Sequence, residues 1–151
     1  MAGEIDELWD ANALWPGAVI RERLEAMVPD LRRVMTVDEF DPSLTHPRQL
    51  PAAIVMLDAL RPDVRTNVYT RPLNCDQDWL VAVAVRSARP DADGAAAKAG
   101  VLLPRVVAAL HGYVPPGAKR GFVWRAGPNP SYGADVSYYP LMFTLQGVMG
   151  A

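Results

Sequence analysis

The stretch DWLVAVAVRSA, Asp78 to Ala88, decides the fold. It alternates strictly: Trp79, Val81, Val83 and Val85 share one side, and Leu80, Ala82 and Ala84 share the other. A strand with one face in water would be polar on one of those sides. Both are apolar here, which predicts a central strand covered by a helix on one face and by something else on the other.

Working upstream, AAIVMLDAL (Ala52–Leu60) is a continuous apolar run of strand length and reads as a buried strand. VRTNVYT (Val64–Thr70) alternates moderately and is expected to form a hairpin or neighbouring strand with the Asp78 segment, joined through RPLNCDQ (Arg71–Gln77). RRVMTV (Arg32–Val37) suits a short strand, and the three prolines of DEFDPSLTHPRQLP (Asp38–Pro51) make a loop held by chain stiffness. From Gly17, Ile20, Leu24, Met27 or Val28, and Leu31 recur at helical spacing, with Arg21, Glu22, Arg23 and Glu25 opposite. Arg21 and Glu25 stand i,i+4 and are expected to pair weakly. Pro29 ends or kinks this helix.

Downstream, RPDADG is a turn, and AAAKAGVLLPRVVAALHG carries Val101 or Leu102, Val106 and Leu110 on one stripe. Pro104 inside it either kinks a longer helix or is the first helical residue. Gly112 then takes the left-handed position after the helix, and His111 complements the dipole when protonated. RGFVWRAG is strand-like, GPNPSYG is a turn, and ADVSYYPLMFTLQGVM is a long closing strand. Pro140 within that strand removes a ladder donor and implies an edge or a bulge. The predicted order is α–β–β–β–β–α–β–β: an α+β fold, with a mostly antiparallel sheet of about five to six strands packed by two helices.

Residues 1–15 stand apart from the single domain expected over 16–151. They carry Glu4, Asp6, Glu7 and Asp10, no base, and Leu8, Trp9, Leu14 and Trp15. Two roles are open for the tryptophans: packing back on their own core, or an arm docking on a neighbouring subunit. The same acidic start lacks the basic region of a secretory signal. No apolar run approaches the roughly 20 residues that span a bilayer.

The chain has 151 residues, half of them hydrophobic, and a net charge of −2, which supplies no bulk attraction to nucleic acid. Its single cysteine, Cys75, excludes an internal disulfide framework and suits a reducing compartment. Two histidines, His46 and His111, and one cysteine are too few for a zinc site. Asp91 and Asp93 begin like a calcium loop, but Ala95 and Leu102 occupy positions that need ligands. Asp38/Glu39 and Asp76/Asp78 are expected in polar loops and read as solvated pairs rather than catalytic ones. Lys119, Arg120 and Arg125 with Phe122 and Trp124 are a candidate stacking segment for single strands, although strand aromatics with charged flanks are more often sheet faces. No catalytic, cofactor-binding or metal-ligating set emerges.

The second half resembles the phage tail terminator family. The carriers are ALHGYVPPGAKRG (Ala109–Gly121) and FVWRAGPNPSYGADVSYYPLMFTLQG (Phe122–Gly147). An alanine-rich helix closes on Leu110-x-Gly112-Tyr113-x-Pro115, and the last strand reads Tyr139-x-x-x-Phe143. AVIRERLEAMVPDL, PAAIVML and DWLVAVAVRS agree in order upstream, so the resemblance covers roughly residues 18–148. The acidic start and the proline loop 42–51 depart from the family pattern. The resemblance implies a homo-oligomeric ring, typically a hexamer, that stops polymerisation of the tail tube and offers a surface to neck or head-completion proteins. DNA would pass through its lumen unbound. The ring would sit at the head-proximal end of the virion tail after assembly in the host bacterial cytoplasm, with no membrane and no cofactor. Contacts are expected on the arm and the proline loop, with Trp9, Trp15, Leu44, His46 and Arg48 as candidate interface residues. The alternatives are another neck or connector protein, or a small enzyme or nucleic-acid-binding domain using Cys75, the carboxylates or the 119–125 segment.

Overall fold

Two strands of equal length form the middle of the molecule. The computed structural model describes residues 9, 11–39, 49–65, 67–68, 73–87 and 95–149. In chain order the elements are α1 (Pro16–Met27), β1 (Arg33–Thr36), a single 3-10 turn (Val37–Glu39), β2 (Ala52–Pro62), β3 (Leu73–Arg86), α2 (Ala95–Leu110), β4 (Val123–Arg125), β5 (Ser131–Tyr132) and β6 (Val136–Met149). The sheet has six strands in the order β1-β2-β3-β6-β4, with β5 also on β6. Only β1 and β2 run parallel. The α+β class and the mostly antiparallel sheet are therefore as expected, with both helices on one face.

Each helix follows from its local sequence. Pro16 opens α1 at a position where no N–H is needed, and Ile20, Leu24 and the following Val28 are buried toward the sheet. The helix ends at Met27 because Val28 precedes Pro29, which pushes it out of helical geometry to φ −127°. In α2, Ala99, Leu102, Val106, Ala109 and Leu110 are buried. The helix runs continuously through Pro104 rather than starting there. The carbonyl that Pro104 cannot reach belongs to Gly100, on the exposed side where water can serve it. Gly112 adopts φ +80°, the left-handed conformation only glycine reaches without strain. Arg23 of α1 donates to the Ala109 carbonyl at 3.0 Å and lies 4.1 Å over the Tyr113 ring, tying the two helices at that end.

The main core lies between helices and sheet, lined by Ala53 and Val55 of β2, Trp79, Val81, Val83 and Val85 of β3, and Leu141, Phe143 and Leu145 of β6. The other face is divided. Toward one end it is apolar: Met35, Ile54 and Ala82 form one small cluster, and Ala52, Ala84 and Val136 another, with Tyr138 touching both. Toward the other end it carries Asp78 and Thr144. The expectation of two apolar faces along β3 thus holds only for its Leu80–Ala84 half.

Three expectations are corrected. The described part of Val64–Thr70 is a turn, not a strand, and Leu73–Gln77 belong to β3 instead, which puts Asp76 and Asp78 on a strand rather than in a polar loop. Asn67 is the reason: its side chain donates to the Asn74 carbonyl (2.8 Å) and accepts from the Asn74 N–H (2.7 Å), closing the loop on itself. The GPNPSYG turn contains the two-residue β5, whose Ser131 and Tyr132 pair with Tyr138 and Ser137. Pro140 lies in an interior strand. It falls between the residues of β6 that pair with β5 and those that pair with β4, so no described strand adjoins it on that edge.

The segment before α1 is part of the core where it is described. Trp9 is 1% exposed and Trp15 8%, their rings meeting edge-on at 4.9 Å. Trp9 Nε1–H donates to the Gly117 carbonyl, and the fully buried Gln77 donates to Ala13 O while accepting from Trp79 Nε1–H at 2.8 Å. Gly147 makes room for this. A Cβ there would stand 2.9 Å from the Trp9 ring and 3.2 Å from the Cys75 carbonyl. Gly147→Ala is therefore expected to destabilise by about 1–3 kcal/mol through overpacking. Gly100→Ala meets nothing within 4 Å and should stabilise by about 0.5–1 kcal/mol. Denaturant melts of the two variants, which should move in opposite directions, check this.

Candidate functional site

A β-bulge builds the charged end of the open face. Pairing slips between Leu57 and Ala59, leaving Asp58 as the extra residue. One inserted residue reverses which side each later residue faces. Arg61, which would otherwise point at the helices, thereby shares a face with Asp78. Its Nε and Nη2 donate to Asp78 Oδ2 and Oδ1 at 2.7 and 2.9 Å, a bidentate pair. Thr144 Oγ1–H donates to Asp78 Oδ1 at 2.6 Å, and Arg125 Nε donates to Thr144 Oγ1 at 3.1 Å. The network crosses β2, β3, β6 and β4 in one line. It borders a groove of about 390 Å³ that Asp76, Arg120 and Gln146 also line.

The Arg61 guanidinium holds the Asp78 carboxyl below its usual range; burial opposes this, and the Thr144 hydroxyl assists. A carboxylate so fully engaged is a poor general base. Glu39 forms a second hub beside β1. It accepts from Arg21, from Arg33 at 3.2 Å, and from the Thr36 hydroxyl at 3.2 Å. Burial pushes its carboxyl up, but hydrogen bonds from Thr36 N–H, Arg21 and the Thr36 hydroxyl outweigh that and leave it lowered. Arg21 also stands 4.0 Å from Glu25, the weak pair anticipated.

Two apolar surfaces are left open. Trp124 is 51% exposed and roofs a hollow of about 470 Å³ between α2 and β6, lined by Leu103, Pro104, Val107, Ala108 and Leu141. The β2–β3 hairpin tip carries Leu60, Val64, Val68 and Leu73, all exposed. Exposed apolar patches of this kind mark interaction sites. The edge strand β4 beside Trp124 is only three residues long. His111 Nδ1 accepts the Trp124 backbone N–H at 3.1 Å, so a donor that could recruit another strand is occupied. That nitrogen is an acceptor here, whereas the expected role of His111 was to carry charge for the helix dipole.

The residues singled out from sequence are dispersed. Trp9 and Trp15 lie in the core, the inward of their two roles, and Leu44, His46 and Arg48 fall outside the described residues. Phe122 is buried while Trp124 is exposed, and Arg125 is engaged by Thr144, so the 119–125 segment presents no row of stacking aromatics. Cys75 is buried, and burial pushes its thiol up, away from nucleophilic range. No group of three metal-ligating side chains occurs among the described residues. No described helix is long and apolar enough to cross a membrane. The hairpin tip and the Trp124 hollow escaped sequence reading; the one available signal was Trp124 itself, an aromatic beside Arg125 in a strand-like segment.

The geometry is that of a two-layer α+β scaffold with its described polar networks engaged and apolar surface left at its tip and edge. The chain belongs to the phage tail terminator protein family, whose family model matches residues 11–151. This is a family of structural proteins, so the chain is a phage tail component. No curated protein matches it.

The folded-state carboxyl of Asp78 is lowered, so its ion pair contributes fully above the unfolded carboxylate range near pH 4. That contribution fades as pH falls below this toward the folded pKa. Asp78→Asn is expected to cost about 1–3 kcal/mol at pH 7 and to flatten the fall in stability below about pH 4. Urea midpoints collected from pH 7 to pH 2 check both.

Proposed function

We propose that the protein closes into a homo-oligomeric ring, a hexamer, that caps the tail tube and ends its polymerisation. One ring face matches the last tube ring. The opposite face lacks the tube's own docking surface and receives a neck or head-completion protein. DNA passes through the lumen without specific binding, at the head-proximal end of the virion tail, and assembly takes place in the host bacterial cytoplasm. The observation that carries this reading is the pair of unlike apolar surfaces, the hairpin tip and the Trp124 hollow, on a chain of this family. Contact between two different patches is heterologous, and such contacts generate rings when the rotation closes. The net charge of −2 suits a conduit that does not grip DNA.

Size-exclusion chromatography with light scattering, followed by negative-stain imaging, tests the ring. A single multiple of the protomer mass and particles with a central hole are expected. Trp124→Asp should shift the mass toward the monomer while the circular dichroism spectrum is kept. Added to purified tubes, the rings should sit on one end and halt growth. A protein that stays monomeric at tens of micromolar, or binds only the head side, overturns the reading.

A further inference from the structure

A second groove, of about 490 Å³, lies at the opposite end of the sheet from Trp9, between the start of α2, the end of β3 and the segment preceding β2. Its rim carries three exposed cations: Arg32, Arg86 and Lys98. Among the described residues four arginines pair with carboxylates, Arg21 and Arg33 with Glu39, Arg61 with Asp78 and Arg105 with Asp30, while Arg23 and Arg125 donate to the Ala109 carbonyl and the Thr144 hydroxyl. Arg32, Arg86 and Lys98 have no such partner among the described residues. Asp30, the one carboxylate among the described residues that line the groove, is taken by Arg105. Leu50 and the exposed Val101 line the same groove, so it offers positive charge together with aliphatic surface.

The complement is in the chain itself. MAGEIDEL, residues 1–8, holds Glu4, Asp6 and Glu7 with Ile5 and Leu8 interleaved and no basic side chain. The same chain's acids fall short of the groove. Trp9 is anchored beside Gly147, which pairs with Cys75, whereas the groove is at Arg86, which pairs with Val136. Eleven residues of β6 separate those positions, about 36 Å at 3.3 Å per residue. From Trp9 to Glu4, fully extended chain spans at most about 18 Å.

We propose that Arg32, Arg86 and Lys98 receive the acidic segment 1–8 of a neighbouring copy, with Ile5 or Leu8 on Leu50 and Val101. The inference rests on the ring reading and deepens it: each protomer, held by its own Trp9 anchor, passes its acidic segment to the next. The contact is head-to-tail and adds a salt-sensitive latch to the apolar contacts.

A double variant, Glu7→Cys with Lys98→Cys, tests it, because the one native thiol, Cys75, is buried and does not compete. Under mild oxidation it should give a ladder of covalent multimers on a non-reducing gel. The control Glu7→Cys with Arg65→Cys should give at least tenfold less. The ladder should weaken severalfold at 1 M salt. A second arm uses charge exchange: Glu4→Lys/Asp6→Lys/Glu7→Lys and Arg86→Glu/Lys98→Glu each lower the ring mass, and combining the two sets restores it. Holed particles with no more ladder than the control overturn the latch and leave the ring standing. A monomer at every concentration overturns both. Rings indifferent to both charge sets, together with short duplex DNA binding lost only in Arg86→Glu/Lys98→Glu, assign the groove to nucleic acid and overturn the latch.

Discussion

The pairing of β3 with β6 runs without a register break from Leu73↔Met149 to Arg86↔Val136, and the other elements are placed by it. Because successive side chains alternate, one unbroken ladder sorts both strands at once. Trp79 to Val85 and Leu141 to Leu145 receive the helices, while Asp78, Ala82, Ala84 and Thr144 turn to the open face. The bulge at Asp58 is the one place where a neighbouring strand departs from that order. The departure is used: it brings Arg61 to Asp78, and the charged line across four strands depends on it.

The constraint also explains the position of the N-terminal tryptophans. At the Cys75↔Gly147 end of the ladder the missing side chain at Gly147 leaves a recess in its inner face. Trp9 fills the recess, Trp15 packs on Trp9, and Gln77 supplies polar partners for the backbone and for Trp79 Nε1–H. An indole so enclosed fixes where the residues before it begin, and that is what makes the distance to the Arg32–Arg86–Lys98 groove meaningful.

How much of this was legible in sequence depended on the range of the interaction. The two-sided apolar pattern of Trp79–Val85, the stripe of Ile20, Leu24 and Val28, and the glycine after α2 are local, and they reported their elements correctly. Val64–Thr70 misled because moderate alternation also suits a loop, and the clasp of Asn67 on Asn74 outweighs weak strand preference. Nothing in the composition near Asp58 announces a bulge, since the slip is set by the partner strand. The surfaces were the least legible part. Trp124, Leu103 and Leu141 come together from three elements, as do Arg32, Arg86 and Lys98, and no spacing along the chain records either meeting. The tryptophans at 9 and 15 had two physically sound destinations, and only the recess at Gly147 distinguishes between them.

One topological fact has a temporal consequence. β6 follows every other strand in the chain yet lies between β3 and β4, so while the ribosome is still making residues 1–135 the sheet lacks its middle. Until then β3 offers an unpaired fourteen-residue margin, and β4 and β5 have nothing to attach to. The nascent chain therefore gains its native surfaces late and nearly all together. The unpaired margin is the interval in which a chaperone would be of most use.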